Sequence, residues 1–300
     1  MANTIAGVNL AQIASEALTL PTLQPQPFTL LSRFSTDFSD EIRDMGESIA
    51  TRVATVPTIA DIATAGYAHV DQTLTAKTIT LNKFKGVTMG FHDLEVSKSK
   101  VDLQRIFARP ALLVTINAVL DDLFALILNA TFSSKVTKTA AQFDADVVAD
   151  MAQTLSDANS IGSRILVVEP SHYTSLVKDN AIQAAYAYGS ASAIQDNRVS
   201  RVHGFDVFDY SDVPGNSESL VGFGCTPDAL LVAARTVAVP DNFPGQVVNT
   251  IEPVSGVPIQ WRYWYNPDAA SQPGAHMFSV GMFYGVAAGN TAPLVRVVTA

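Results

Sequence analysis

Thr78-Ile-Thr-Leu-Asn-Lys-Phe-Lys-Gly-Val-Thr-Met-Gly-Phe91 sets Ile79 and Leu81, then Val87, Met89 and Phe91, at every second position. A period of two belongs to a strand with one covered face. Upstream, Gly46 to Asp71 is rich in Thr, Val, Ile and Ala and poor in charge, and the two stretches together read as a long two-stranded excursion. Isolated hairpins are marginal in water, so this one is expected to lie on a neighbouring surface.

Working outward, the longest apolar stretch follows, from Pro110 to Ala130. Proline suits the first turn of a helix, where its missing N–H costs nothing, so the helix is expected to start at Pro110. Leu113, Ile116, Leu120, Leu123 and Ile127 recur at helical spacing, Leu112, Val119 and Leu126 widen the stripe, and Asn117, Asp121, Asp122 and Asn129 gather on the other side. Charges are expensive at the centre of a bilayer. Asp121 and Asp122 therefore argue for a helix packed on protein and against a membrane span.

Before the hairpin, Gln12 to Leu31 carries Pro21, Pro25 and Pro27, which predicts an extended arm after a short helical start, with little core of its own. After the long helix, Thr139 and Gln142 stand in capping-box spacing ahead of Phe143, Val147, Met151 and Leu155, and Asn159 and Gly162 end that helix. Arg164 to Val168 reads as a buried strand stopped by Pro170, with Ser171 capping a short helix through Tyr173, Leu176 and Val177. Ala181 to Ser200 has no period and reads as a surface loop. Gly204 to Tyr210 alternates as a strand before a turn at Pro214-Gly215, and Pro258 to Val298 holds three strand-like runs expected to pair antiparallel. No internal repeat stands out.

Composition narrows the function. The 300 residues are 48 % apolar and only 16 % charged, with a net charge of −9; an ordinary soluble protein has roughly 25 % charged residues. A surface that poor in charge is expected to be covered, most economically by copies of the same chain. The acidic balance, with a pI near 4.9 and no basic cluster, argues against a protein that grips nucleic acid. Cys225 is the only cysteine, which excludes an intrachain disulfide and a cysteine zinc site and suits a small buried apolar residue. The stretch Met1 to Leu20 lacks the basic start and apolar run of a secretory signal, so synthesis in a cytoplasm is expected.

The order of these pieces resembles the major capsid protein of tailed bacteriophages with the Hong Kong 97 fold, in its coat-protein-like branch. The resemblance rests on Ile79 to Phe91, on Leu166-Val-Val-Glu-Pro-Ser-His-Tyr-Thr-Ser-Leu176, on Val202-His-Gly-Phe-Asp-Val-Phe208, on Thr226-Pro-Asp-Ala-Leu-Leu-Val-Ala-Ala234, and on Phe278 to Gly285 with its Phe283-Tyr284-Gly285. It spans about Leu18 to the C-terminus; the proline-rich arm and the segment near His69 depart from it. It implies an α+β fold with an N-terminal arm (1–45), an extended loop (46–98), a peripheral domain with a long spine helix (99–138), an axial domain (139–237) and closing strands of the peripheral domain (238–300). In that family the loop lies over an adjacent subunit and axial domains meet around fivefold and sixfold axes. The implied partners are further copies of the chain, in hexamers and pentamers, with scaffolding, portal and decoration proteins, and with packaged DNA only through weak, non-specific proximity. No membrane partner and no cofactor are implied. By position, Gly66, Tyr67, His69, Lys83, Lys85, Tyr186, Tyr188 and Arg198 are the expected subunit contacts.

Catalytic and metal-binding readings find little support. His69, His92, His172, His203 and His276 are scattered and never at the spacing that sets two imidazoles on one helical face. Ser171 beside His172 lacks a Gly-x-Ser-x-Gly elbow, and neighbours in sequence seldom point at each other. Asp146 and Asp150, one turn apart, form a paired carboxylate that better fits a solvated helix face than a cation site. Asn129-Ala-Thr131 matches a glycosylation triplet at a helix end. Lys77, Lys83 and Lys85 lie where some relatives join the loop covalently to a neighbour's Asn, but no matching Asn or activating carboxylate is identifiable. No catalytic, cofactor or metal residue is assigned. A viral shell subunit is the leading expectation, an encapsulin-like compartment of the same fold the alternative, and a hydrolase built on Ser171 and His172 the third.

Overall fold

Val87, Met89 and Phe91 do turn one way. In a computed structural model that describes residues 10–19, 26–43, 48–54, 64, 74–99, 103–160, 162–179, 182, 199, 201–240, 242–267 and 274–299, they lie on strand β4 (Lys83–His92) and pack into the main core. The partner of β4 is not the upstream strand, as the hairpin reading expected. It is β13 (Ala275–Ala288), running antiparallel with Val87 opposite Val280 and Met89 opposite Phe278. The excursion is instead β2 (Ser48–Ala54) against β3 (Leu74–Thr80), a separate two-stranded sheet. The alternation runs through both strands, but Asn82 and its neighbours carry the chain from one sheet to another, and periodicity does not register such a change.

The first large sheet has the order β1 (Ser35–Arg43), β10 (Leu230–Val237), β13, β12 (Pro258–Asn266), β11 (Gly245–Ile251), with β4 on the remaining edge of β13. Only β1 pairs in parallel. One face of this sheet packs on a long helix, α4 (Leu103–Phe124), burying Trp261, Phe278, Val280, Met282 and Tyr284 with Leu112, Ile116, Val119, Leu120 and Leu123. The other face is covered by the base of the hairpin, where Ile79, Leu81, Leu231, Ala233 and Phe283 form a smaller core.

Two expectations need correction here. Helix α4 begins at Leu103, so Pro110 is interior; it removes one backbone donor, on an exposed side of the helix. The arm has its short helical start, but from Gln26 to Ser32 it is helical again instead of extended, and both helices bury an apolar face. Helices α1 (Leu10–Ala17) and α2 (Gln26–Ser32, with Pro27 in its first turn) bury Leu10, Ile13, Phe28 and Leu31 in the main core. Arg105 of α4 donates to Glu16. Prolines at helix starts are tolerated, so their number does not by itself make a segment extended.

The second sheet has the order β5 (Lys135–Thr137), β14 (Leu294–Val298), β9 (Leu220–Cys225), β6 (Arg164–Val168), β8 (Phe205–Asp209), β7 (Arg201–Val202). Helices α5 (Ala145–Asp157) and α6 (Pro170–Lys178) cover one face with Phe143, Val148, Met151, Leu155 and Leu176. The opposite face meets the end of α4 through Phe124, whose ring lies 4.9 Å from that of Phe223. Strands cross the expected boundaries: β4, within 46–98, and β10, within 139–237, pair with β13 in the first sheet, while β5, within 99–138, and β14, within 238–300, pair with each other in the second, where β14 also runs antiparallel to β9. Strands β10 and β14 are almost wholly buried and mostly apolar, and such runs do not reveal which sheet they enter.

Caps also differ from expectation. Thr139 and Gln142 cap a single 3-10 turn, and Asp144 caps α5 by accepting from the Val147 N–H at 3.1 Å. Pro170 is the first residue of α6, so Glu169 and not Ser171 holds the capping position. Asn159, at φ 50°, and Gly162, at φ 132°, follow the end of α5 as expected.

Candidate assembly surface and the polar side of the long helix

Of the expected contact residues, Gly66, Tyr67, His69, Tyr186, Tyr188 and Arg198 lie outside the described residues. Lys83 and Lys85 lie on β4 and face α4, not the hairpin. Lys83 Nζ stands 3.0 Å from Asp122 Oδ1 and Lys85 Nζ 2.7 Å from Asp122 Oδ2. The Tyr284 hydroxyl of β13 donates to the same carboxylate. Burial raises the Asp122 carboxyl, but hydrogen bonds from Lys85, Tyr284 and Lys83 outweigh it and hold it below the usual carboxylate range. This cluster makes a structural tie of the two lysines that sequence position suggested for a neighbour.

Asp121, the adjacent residue, has the opposite balance. Burial raises it, and the Tyr210 hydroxyl, donating at 2.9 Å, only partly opposes that, with Asp212 and Asp122 adding repulsion. Sequence reading placed both aspartates on the polar side of the helix but gave no sign of their tyrosine partners, which lie 89 and 162 residues away, one just past β8 and one on β13.

The end of α4 is held by the segment before β9. Asn216 Nδ2 donates to the Phe124 and Ile127 carbonyls at 2.9 and 2.7 Å, satisfying acceptors that a helix end leaves open. Glu218 accepts from the Asn129 N–H at 3.1 Å and pairs with the buried Arg296 of β14. Arg296 also donates to the Phe132 carbonyl and Asn129 Oδ1, both at 2.7 Å. Asn129, read as part of a glycosylation triplet, is thus committed to this web.

An apolar surface missed at the sequence level lies near the start of α4. Ile106, Phe107, Pro110 and Val114 are exposed along one side, and Phe107 stacks on Phe91 with ring centroids 5.8 Å apart. The short helix α3 (Asp93–Lys98) beside it buries no residue and exposes Leu94 and Val96. Starting the helix at Pro110 hid this stripe. Large apolar side chains grouped in the open mark an interaction site.

The chemistry-bearing residues do not converge. Ser171 Oγ does lie 3.1 Å from His172 Nδ1, contrary to the expectation for sequence neighbours, but the far ring nitrogen meets the Lys138 carbonyl at 3.5 Å and the ring packs edge-on against Phe143. Among the described residues no carboxylate is placed to orient the imidazole as a catalytic triad requires. Asp146 and Asp150 are exposed on α5. Among the described residues no group of three or more His, Cys, Asp or Glu side chains is placed to hold a metal, and no helix is long and apolar enough to cross a membrane. Cys225 is buried, which pushes its thiol well above its ordinary range.

No protein-family model and no curated protein matches the sequence. Solved structures do. A capsid structure of the cyanophage P-SCSP1u aligns with a TM-score of 0.62 at 11 % identity, over 90 % of this chain and 88 % of that one. The mature capsid of bacteriophage PhiM1 aligns at 0.56 and 11 %, over 90 % and 86 %. The chain has the Hong Kong 97-type capsid fold. A virus-like particle from Pyrococcus furiosus aligns at 0.52 and 13 % identity, over 94 % and 96 %. At such identities the fold is kept by the pattern of covered faces and not by particular side chains.

Proposed function

We propose that this chain is the major shell subunit of a tailed phage, assembling with itself into the icosahedral particle that encloses double-stranded DNA. The observation that carries the reading is that, among the described residues, β2 and β3 pair only with each other, outside both large sheets, on a chain whose long helix α4 exposes Ile106, Phe107 and Val114 nearby in sequence. A two-stranded element is marginal on its own in water, and a sister subunit supplies the missing surface. On this reading the peripheral domain is built on the first sheet and the spine helix, the axial domain on the second sheet with α5 and α6, and the segments holding Gly66, Tyr67, His69, Tyr186, Tyr188 and Arg198 make contacts between subunits. The DNA is held by confinement, since the net charge is −9. The chain is not an enzyme, and the virion is where it works after synthesis in the host cytoplasm. Scaffolding, portal and decoration proteins are its further partners.

Electron microscopy and mass photometry of the full chain, expressed alone and with its neighbouring phage genes, test this. Hollow closed particles are expected; monomers or dimers under every condition refute it. A second reading, a cellular compartment like an encapsulin, is favoured by the overlap with the Pyrococcus furiosus particle. Nuclease-resistant DNA in the natural particle selects the phage reading, and an enclosed protein cargo selects the compartment.

A further inference from the structure

Strand β11 closes one side of the first sheet, and its seven residues, Gly245-Gln-Val-Val-Asn-Thr-Ile251, contain no charge and no proline. Its register against β12 runs unbroken from Gly245 opposite Trp264 to Ile251 opposite Pro258. An open row of N–H and C=O groups is a template for another strand, and natural edges are blunted by charge, proline, a bulge or shortness. The other edges of the two large sheets carry such guards. Strand β1 holds Asp37, Asp40, Glu41 and Arg43 and shifts register between Phe38 and Ile42. Strand β4 holds Lys83 and Lys85, and β5 and β7 have only three and two residues. Among the described strands of those sheets, β11 alone has no guard.

Pro258 fixes which way the backbone of β11 faces. Proline has no N–H, so Ile251 and Pro258 form a pair that exchanges no bonds, whereas the Glu252 N–H just beyond donates to the Val257 carbonyl at 2.9 Å. Bonded and unbonded pairs alternate along an antiparallel ladder. Thr250, Val248 and Gln246 therefore bond to β12, and Val247, Asn249 and Ile251 turn their N–H and C=O groups outward. Among the described residues no other strand takes those bonds. The side chains alternate to match: Val248 packs against the main core and Thr250 accepts from the Trp261 indole at 2.7 Å, while Asn249 and Ile251 are exposed.

The outward residues read alike in both directions. A second β11 laid antiparallel about Asn249 sets Asn249 opposite Asn249 and Val247 opposite Ile251, with Val248 opposite Thr250 on the other face. Apolar meets apolar and amide meets amide, and no like charges face each other although each chain carries −9. Such self-complementarity is what a twofold contact requires.

We infer that two copies of this chain join along β11, edge to edge about Asn249, so that the first sheet continues across a twofold axis from one subunit into the next. The inference rests on the reading that the chain assembles with itself, and it holds for a phage shell and a compartment alike. One pair of strands buries less than a stable interface needs, so this contact acts together with the others of an assembled particle.

Disulfide trapping in the full chain tests the pairing. The native Cys225 is buried and gives a silent background. In particles of N249C under mild oxidant the two introduced cysteines meet across the axis with Cα atoms about 5.5 Å apart, within disulfide reach, and a covalent dimer is expected. In I251C the matching pair lies about 14 Å apart, and severalfold less dimer is expected. V247C/I251C restores it, because each cysteine then faces the other kind. Closed particles in which N249C stays monomeric, or in which I251C crosslinks as well as N249C, overturn the inference and leave the shell reading standing. A covalent N249C dimer without particles keeps the pairing and refutes the shell, and the absence of both refutes both. If N249C fails to assemble where the parent chain does, V247C/I251C decides.

Discussion

Lys85 Nζ sits 2.7 Å from Asp122 Oδ2, and this contact joins the edge strand of the first sheet to the helix beneath it. Truncating the carboxylate leaves the buried Tyr284 hydroxyl with only the Ala118 carbonyl, at 3.4 Å. D122A is expected to cost about 1–3 kcal/mol, most of it from that hydroxyl, because the half-exposed lysines contribute little when screened. Urea unfolding of the purified chain measures it, and a loss below about 0.5 kcal/mol removes Asp122 from the account of how β4 is held.

The two neighbouring aspartates should answer acid in opposite ways. Asp122 has its folded value depressed, so its stabilisation is full above the ordinary carboxylate range, near pH 4, and is lost as pH falls through the folded value. Asp121 has its folded value raised, so its ionisation opposes folding at neutral pH and the penalty lifts on acidification. D121N, which keeps an acceptor for Tyr210, is expected within about 0.5 kcal/mol of the parent at pH 7. Equal destabilisation by D121N and D122N in matched urea curves would contradict the opposing balance.

Gly285 marks the crossing of the hairpin over the first sheet. A methyl group there would stand 2.2 Å from the Thr80 carbonyl oxygen, which belongs to backbone and has no rotamer to yield. G285A is expected to cost about 1–3 kcal/mol by overpacking and to speed amide exchange at residues 78–81 selectively. Uniform exchange changes across the chain would show that this crossing is not what the glycine serves.

Arg296 is buried and binds Glu218, Asn129 and Phe132 at once. R296M keeps the length of the side chain and strands those acceptors, and a loss of about 3 kcal/mol is expected, the low end for a broken buried pair. The double variant R296M/E218Q should recover part of it in denaturant curves. No recovery would mean that the neutral contacts alone carry the junction.

Much of the fold was legible where one element's pattern suffices. Leu166 to Val168, the alternation from Val87 to Phe91 and the stripe on α4 each announced their state because burial on one face leaves a period. Partners were not legible. Nothing local says that β4 pairs with β13, 191 residues away at Thr88 and Ser279, or that Lys83 and Lys85 turn inward to Asp122. The candidate assembly surface was found only in part for the same reason. Ile106 and Phe107 become a surface once α4 is seen to begin at Leu103, and the stretches of sequence around Tyr67 and Tyr186 have no period to read.

Strand β14 lies between β5 and β9, and β5 pairs with no other strand among the described residues. Leu294 to Val298 must therefore be made before residues 135–137 have a strand to settle on, and until then the edge of β9 that β14 covers stays open. Contacts across such long sequence separations form slowly, and an open strand edge is a template for a foreign strand, so the partly made second sheet is the place where one chain can mispair with another.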